Sequence, residues 1–257
     1  MSTPADPLVA RLRGAGCVFA EREAALLRAA ASAPGDVEAL AARRAAGEPL
    51  EHVLGWARFC GLRLAVAPGV FVPRHRSELL VALAAPLLAP GDVLVDLCCG
   101  TGALAAALRV RVPGLLVHAA DVDPAAVRCA RANLPGAWVH RGDLFAALPA
   151  ALRGTVDVVV ANVPYVPSGE VALLPPEARE HEARFALDGG GDGLDVLRRV
   201  LAGAATWLRP GGSLLAEVAG EQEAAAVRAA AGAGLDARTV ADEEFETTAL
   251  VVRRPTR

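Results

Sequence analysis

Two stretches of this chain carry residue types that could do chemistry together. The first is Asn162-Val163-Pro164-Tyr165, directly after the apolar run Val158-Val159-Val160-Ala161. It offers a carboxamide, a main-chain carbonyl, a ring that stiffens the turn and an aromatic. Pro164 biases Val163 toward an extended conformation. An Asn before a turn proline also reads as an Asx-type turn that closes a strand. The tetrapeptide therefore takes its meaning from what lies upstream.

The second stretch is Asp96-Leu97-Cys98-Cys99-Gly100-Thr101-Gly102. Small residues there let the backbone approach a ligand, and a following helix offers free N–H groups at its start. Cys98 stands where a dinucleotide fingerprint has its first glycine, which argues against that class of ligand. Asp121 follows roughly 20 residues after the loop, the distance at which a carboxylate holds ribose hydroxyls. Asp143-Leu144-Phe145 could bind an adenine, with apolar groups against its face and Asp143 accepting from its amino group. Each acid alone reads equally well as a helix cap or a solvated charge. Together, in this order, they point to an adenosine-containing ligand. Adjacent thiols rarely bridge, so Cys98 and Cys99 read as small apolar filler.

Positioning these groups requires a sheet. Val156 to Ala161 is apolar on both faces, as a central parallel strand covered by helices must be. Val93–Leu97, Leu115–Ala120, Ala137–His140, Val156–Ala161 and Ser213–Val218 read as successive strands. Helices over 101–112, 124–133, 194–208 and 222–231 alternate with them, the longest stopping at Pro210-Gly211-Gly212. Leu235–Ala241 and Ala249–Arg253 fit a closing antiparallel pair. This alternation predicts a doubly wound α/β sheet with its ligand at the carboxyl ends of the strands.

Ahead of the sheet, Pro7 to Ala33 reads as two helices separated by Gly14-Ala15-Gly16. A third runs from Asp36, its cap, to Ala46. Phe59 to Val72 reads as a β-hairpin containing Pro68-Gly69, and Ser77-Glu78 opens a helix reaching about Leu88. The expected organisation is a helical domain over 1–58, a hairpin linker over 59–76 and the α/β domain over 77–257.

Composition narrows the function classes. The chain has 257 residues, enough for one large core and a smaller unit. Its net charge is −3 and it has no block of basic residues, so nothing marks a phosphate-tracking surface and stable nucleic-acid binding is not expected. Its five Cys include no C-x-x-C pair, and its five His have no ligand spacing, so no metal site is expected. Met1 to Arg13 has no apolar leader segment and no apolar run is of membrane length. A cytoplasmic protein without a membrane partner is the expectation. Arg74, His75 and Arg76 read as a solvated linker cluster.

The loop at Asp96–Gly102 resembles the first motif of class I S-adenosylmethionine-dependent methyltransferases. Asn162-Val163-Pro164-Tyr165 resembles the Asn-Pro-Pro-Tyr motif of members that modify amide and amino nitrogens. Four further segments are similar to the HemK/PrmC protein N5-glutamine methyltransferases. They are Gly47–Gly55, Phe59-Cys60-Gly61-Leu62, Phe71-Val72-Pro73-Arg74, and Glu182–Gly190 with Gly193-Leu194. The similarity runs from about Gly14 to the end of the chain. It departs at Cys98 and Cys99, at Leu144, at Val163 for the first proline of the signature, and at His75-Arg76-Ser77 in a linker that usually reads Pro-Arg-Pro-Glu-Thr.

The resemblance implies a Rossmann-like fold with a seven-stranded, mostly parallel sheet, one antiparallel closing strand and a small N-terminal helical domain. It implies methyl transfer from S-adenosylmethionine to a protein glutamine, the Gly-Gly-Gln glutamine of peptide chain release factors. The cofactor would lie against Asp96, Cys98, Cys99, Gly100, Thr101, Gly102, Asp121, Asp143, Leu144 and Asn162. The catalytic set would be Asn162, Val163, Pro164 and Tyr165. The Asn162 side-chain oxygen and the Val163 carbonyl would each accept one hydrogen of the target NH2, and Tyr165 would pack against the planar group. Two other functions suit the same residues: N6-adenine methylation of nucleic acid, and a non-catalytic protein retaining the fold. The acidic balance and the linker weigh against the first; the Cys98 and Val163 departures keep the second open.

Overall fold

The computed structural model of the chain describes residues 6–256. The first five residues of the expected helical domain, and Arg257, fall outside them. The chain opens with four helices, α1 (Pro7–Gly14), α2 (Ala20–Ala30), α3 (Pro34–Ala45) and α4 (Leu50–Leu54). Leu12, Ala20, Ala24, Leu27, Ala41 and Val53 give them a small core of their own. Asp36 caps α3 from inside its first turn: its Oδ2 accepts the N–H groups of Ser32 and Ala33 at 3.1 and 2.9 Å. The helix thus starts at Pro34, two residues before the expected cap. The short α4 has no apolar period long enough to have announced it.

A hairpin follows, β1 (Trp56–Phe59) and β2 (Leu62–Ala65). Its turn is Cys60-Gly61 and not Pro68-Gly69, and it begins before residue 59. Both turn residues have positive φ, 47° and 76°, the geometry whose twist suits a two-residue hairpin. Proline cannot adopt that conformation, so Pro68-Gly69 bends the chain after the hairpin instead.

Helix α5 (Glu78–Ala84) leads into the α/β unit. There, β3 (Val93–Leu97), α6 (Ala103–Arg111), β4 (Leu116–Asp121), α7 (Pro124–Asn133), β5 (Trp138–Arg141) and β6 (Val156–Ala161) alternate as expected. After β6 come α8 (Pro176–His181), α9 (Asp195–Trp207), β7 (Leu208–Val218), α10 (Glu223–Gly232), β8 (Asp236–Asp242) and β9 (Thr247–Arg253). Strand β7 begins five residues before the expected Ser213. Its register on β6 jumps between Val156↔Leu208 and Val158↔Ser213, a bulge that absorbs Pro210-Gly211-Gly212.

The sheet order is β5-β4-β3-β6-β7-β9-β8. All pairs are parallel except those of β9, which runs against both β7 and β8. This is the expected Rossmann-like arrangement with one reversed strand. Val158 and Val160 of β6 pack with residues of α5 and α6, while Val159 and Ala161 pack with α9. Helix α9 presents Leu197, Val200, Leu201 and Ala204 to that second face, the helical spacing of a buried stripe. Each such Val or Leu contributes roughly 1.5–3 kcal/mol of burial. The strand order reverses between β3 and β6, so the crevice opens beyond the carboxyl ends of these two strands. Asp96 is the last residue but one of the first, and Asn162 follows the second.

Candidate active site

A cavity of about 620 Å³ occupies that crevice. Asp96, Cys98, Cys99, Gly100, Thr101, Asp121, Asp143, Leu144, Asn162, Val163, Pro164 and Tyr165 all line it. Gly102 does not. It ends the loop at φ 77°, and a Cβ there would meet Leu134 at 2.7 Å, so its bareness lets α6 close on the end of α7. Cys98 has φ 54° and Leu144 φ 48°, two side chains held in the left-handed region against the cavity wall. That backbone angle is the reason a glycine suits the Cys98 position.

Asp96 is 1% exposed. Its Oδ2 accepts the Ala105 N–H at 3.2 Å, which braces the loop against α6. Among the described residues its Oδ1 has no partner, and neither has the hydroxyl of Thr101. Burial pushes the Asp96 carboxyl well above its usual range, with the Asp121 charge adding to the effect. Unpartnered buried polar atoms are rare because each costs about 1–3 kcal/mol. Two in one ligand-sized cavity mark where a polar ligand would bind.

Asp121 accepts from Gly100 N–H at 2.8 Å and from Asp123 N–H at 2.9 Å. It therefore shapes the loop as well as facing the cavity. Burial raises its pKa as the largest effect, opposed by these hydrogen bonds. Asp143 is paired with Arg199 of α9, a cavity residue the sequence did not single out. Cys98 and Cys99 are free thiols whose pKa values burial raises, in accord with filler and not with a redox pair.

At the end of β6, the Asn162 amide donates from Nδ2 to Ser77 Oγ at 3.0 Å. Its Oδ1 and the Val163 carbonyl accept no hydrogen bond among the described residues. The Tyr165 hydroxyl donates to Glu217 Oε1 at 2.8 Å and is also met by Arg76. Burial, then the Glu217 charge, raises the Tyr165 pKa far from neutrality. Gln222 donates to the Tyr165 carbonyl at 2.8 Å and to that of Asp192 at 3.0 Å, tying the turn to the loop before α9.

The expected solvated cluster is resolved differently. Arg74 reaches both oxygens of Glu182 at 2.7 Å, and Arg76 pairs with Glu217 at 2.8 Å. Both acids are buried, so breaking either pair would leave an uncompensated charge inside the protein. His75 stays exposed, 3.3 Å from Glu78. The Glu182 carboxylate also accepts from Val72 N–H at 3.1 Å, and Arg44 links Glu23 of α2 to Glu177 of α8. The segment over the cavity mouth is thus clasped by the linker and by the N-terminal helices. The sequence signal for Glu217 was a lone acid in the apolar strand Leu214-Leu215-Ala216-Glu217-Val218. Among the described residues no group of three or more His, Cys, Asp or Glu could hold a metal, and no helix is long and apolar enough to cross a membrane.

The methyltransferase small domain family matches residues 61–194. A release factor glutamine methyltransferase from Streptomyces coelicolor is 44% identical over 70% of this chain, which spans 66% of that protein's length. A 4-amino-L-phenylalanine/4-methylamino-L-phenylalanine methyltransferase from Streptomyces pristinaespiralis is 38% identical, over 82% of this chain and 80% of its own. In structure, a methyltransferase from Pyrococcus furiosus superposes with TM-score 0.58 at 18% identity, covering 76% of this chain and 90% of its own.

Proposed function

Since the chain belongs to the methyltransferase small domain family, and within it to the release factor glutamine methyltransferases, we propose that it methylates the side-chain amide nitrogen of a protein glutamine, that of the Gly-Gly-Gln segment of a peptide chain release factor. The observation that carries this reading is a pair of acceptors without partners among the described residues, Asn162 Oδ1 and the Val163 carbonyl, beside a loop with buried polar atoms in the same condition.

S-adenosylmethionine, when bound, supplies an electrophilic methyl group. The residues present fit it. Among the described residues, Asp96 Oδ1 and the Thr101 hydroxyl lack partners, and nothing lies within 4 Å of where a Gly100 Cβ would be. Asp96, Cys98, Cys99, Gly100 and Thr101 would hold its amino-acid end, Asp121 its ribose, and Asp143 with Leu144 its adenine. Gly102 would contribute indirectly, by letting α6 close on the end of α7 behind the loop.

An amide nitrogen is a poor nucleophile because its lone pair is delocalised into the carbonyl. Orientation matters more than a strong base. Two acceptors, one for each N–H, fix the NH2 group and stabilise the positive charge growing on nitrogen. Holding the nucleophile in line can supply up to about 7–11 kcal/mol. Tyr165, pinned by Glu217, would present its ring to the planar amide. The N-terminal helices over 1–58 would position the protein substrate through the clasp made by Arg44 and Arg74. The reaction would take place in the cytoplasm, where release factors act.

A second reading has a specific support. The Streptomyces pristinaespiralis relative aligns with more of this chain than the release factor relative does. The same acceptor pair would hold the aryl NH2 of a small amino acid. The N6-adenine and non-catalytic readings have no such support.

Tritiated methyl transfer with purified release factor and with 4-amino-L-phenylalanine separates the two. Asn162→Ala should abolish transfer to the true acceptor while cofactor affinity stays unchanged by calorimetry. An active Asn162→Ala enzyme would remove the acceptor pair from the mechanism.

A further inference from the structure

Outside the expected site residues, one buried chain of hydrogen bonds ends on Asn162. It starts at Glu217, 2% exposed at the end of β7. Glu217 Oε1 accepts from Arg76 Nε and from the Tyr165 hydroxyl, both at 2.8 Å. Glu217 Oε2 accepts from Ser77 Oγ at 2.6 Å. Ser77, 3% exposed, in turn accepts from Asn162 Nδ2 at 3.0 Å.

The direction of every link is forced. A carboxylate has no hydrogen to give, and the Arg76 guanidinium can only donate. The Ser77 hydroxyl carries one hydrogen, which Glu217 takes. Only lone pairs remain on the side of Ser77 Oγ that faces Asn162. An amide oxygen there would meet oxygen lone pairs at hydrogen-bond distance, so the NH2 end must sit there. The Asn162 oxygen is left for the cavity.

We propose that Ser77 and Glu217 are positioning residues that set the polarity of the Asn162 amide, so that its oxygen and not its NH2 meets the substrate nitrogen. This rests on the reading of Asn162 and Val163 as twin acceptors. A substrate NH2 presents two hydrogens. With Asn162 reversed, a donor would face a donor, and only the Val163 carbonyl would remain to orient the lone pair. Glu217 also anchors Tyr165, so one carboxylate registers both the acceptor and the ring.

Substituting Glu217 by Gln tests the direction of the relay. Arg76 and Tyr165 both donate to one oxygen, so the new carboxamide must keep its carbonyl there and turn its NH2 toward Ser77. The Ser77 hydrogen then swings to Asn162, and the amide reverses. An Asp at position 162 has oxygens on both sides and is indifferent to that reversal.

The experiment measures kcat, KM and cofactor affinity for tritiated methyl transfer to purified release factor, with unfolding temperature as control. Ser77→Ala should lower kcat roughly 10- to 100-fold, the range for a misaligned reacting group, with cofactor affinity within two-fold. Ser77→Thr, which keeps the hydroxyl, should stay within about three-fold of the parent, on the same ground of retained alignment. Glu217→Gln should lose kcat, and the double variant Glu217→Gln with Asn162→Asp should recover part of it. Glu217→Gln carries the test if Ser77→Ala folds poorly, because it is isosteric. If Asn162→Ala is inactive while Ser77→Ala and Glu217→Gln keep full kcat, the relay is overturned and the acceptor reading survives. A Glu217→Gln loss that Asn162→Asp does not relieve also overturns it. An active Asn162→Ala enzyme sinks the acceptor reading itself.

Discussion

Gly193 and Tyr165 meet backbone to backbone: a Cβ on Gly193 would run into the Tyr165 carbonyl oxygen and into Gln222 Nε2. Gly193 also has φ 78°, which other residues adopt only under strain. The same loop brings Gly189 so close that its Cβ would lie 2.6 Å from the Pro164 carbonyl. The glycines after α8 are therefore the mould in which the Asn162–Tyr165 turn is cast. Gly193→Ala should displace that turn and break the two Gln222 hydrogen bonds, each worth about 1 kcal/mol. We expect an unfolding temperature several degrees lower, at roughly 2–4 °C per kcal/mol for a chain of this size, and methyl transfer reduced at least about ten-fold. Scanning fluorimetry and the tritium assay check this. A Gly193→Ala enzyme with unchanged turnover would show that the turn holds itself.

These contacts also mark how far the sequence could be read. The strands carrying Asp96, Asp121, Asp143 and Asn162 were legible because continuous apolar runs and turn residues are local signals. Twelve of the expected site residues line one cavity because each sits at a strand end, and strand ends of one sheet converge. Ser77, Glu217 and Arg199 were not legible as site residues. Their partners lie 140, 140 and 56 positions away, and no periodicity encodes such a pairing. The sequence points to a hairpin turn too late in the chain because Pro68-Gly69 is the stronger turn signal, yet positive φ at two successive residues excludes proline. Arg74 and Arg76 looked solvated because a buried acid waiting across the fold leaves no mark beside them.

Asp121 does two things at once, and its loss should reveal both. Its carboxylate holds Gly100 N–H and Asp123 N–H in the structure, and the proposed ribose contact adds to them. Hydrogen bonds to a charged group are worth about 1.5–3 kcal/mol, so Asp121→Ala should weaken cofactor binding by about 10- to 150-fold. Turnover at saturating cofactor should change much less. Asp121→Asn, which keeps one oxygen for Gly100, should fall between. Calorimetry giving an unchanged affinity for Asp121→Ala would rule the ribose role out.

Val163 departs from the proline of the resembling motif, yet it keeps the one group the proposed mechanism uses. Its N–H has no hydrogen-bond partner among the described residues, and its side chain is buried in the cluster beneath the sheet. The group of interest is its carbonyl, which a proline also has. Val163→Pro should therefore fold, and fixing φ should leave stability unchanged or raised by about 0.4–1 kcal/mol. Turnover should remain within about three-fold, since the carbonyl stays in place. A loss of activity with intact folding would mean that the valine side chain itself shapes the acceptor pocket.

Far from the cavity, His118 on β4 sets an acid limit on stability. Its ring stacks on Trp138 with centroids 4.7 Å apart, and its Nδ1 lies 3.1 Å from His140 Nε2. Burial, and then the neighbouring His140, depress its pKa from 6.5 to about 4. A histidine with a depressed folded pKa favours the folded state above its unfolded pKa. That contribution is lost as pH falls from about 6.5 toward 4, because the unfolded chain takes up the proton first. The loss should be of the order of 3 kcal/mol, several degrees of unfolding temperature. His118→Gln can keep a polar contact to His140 but cannot titrate. Its unfolding temperature should lie below that of the parent at pH 7, where the stacking is missed, and the gap should narrow steadily toward pH 4. Parallel curves for the two proteins across that interval would show that His118 is not what acid attacks.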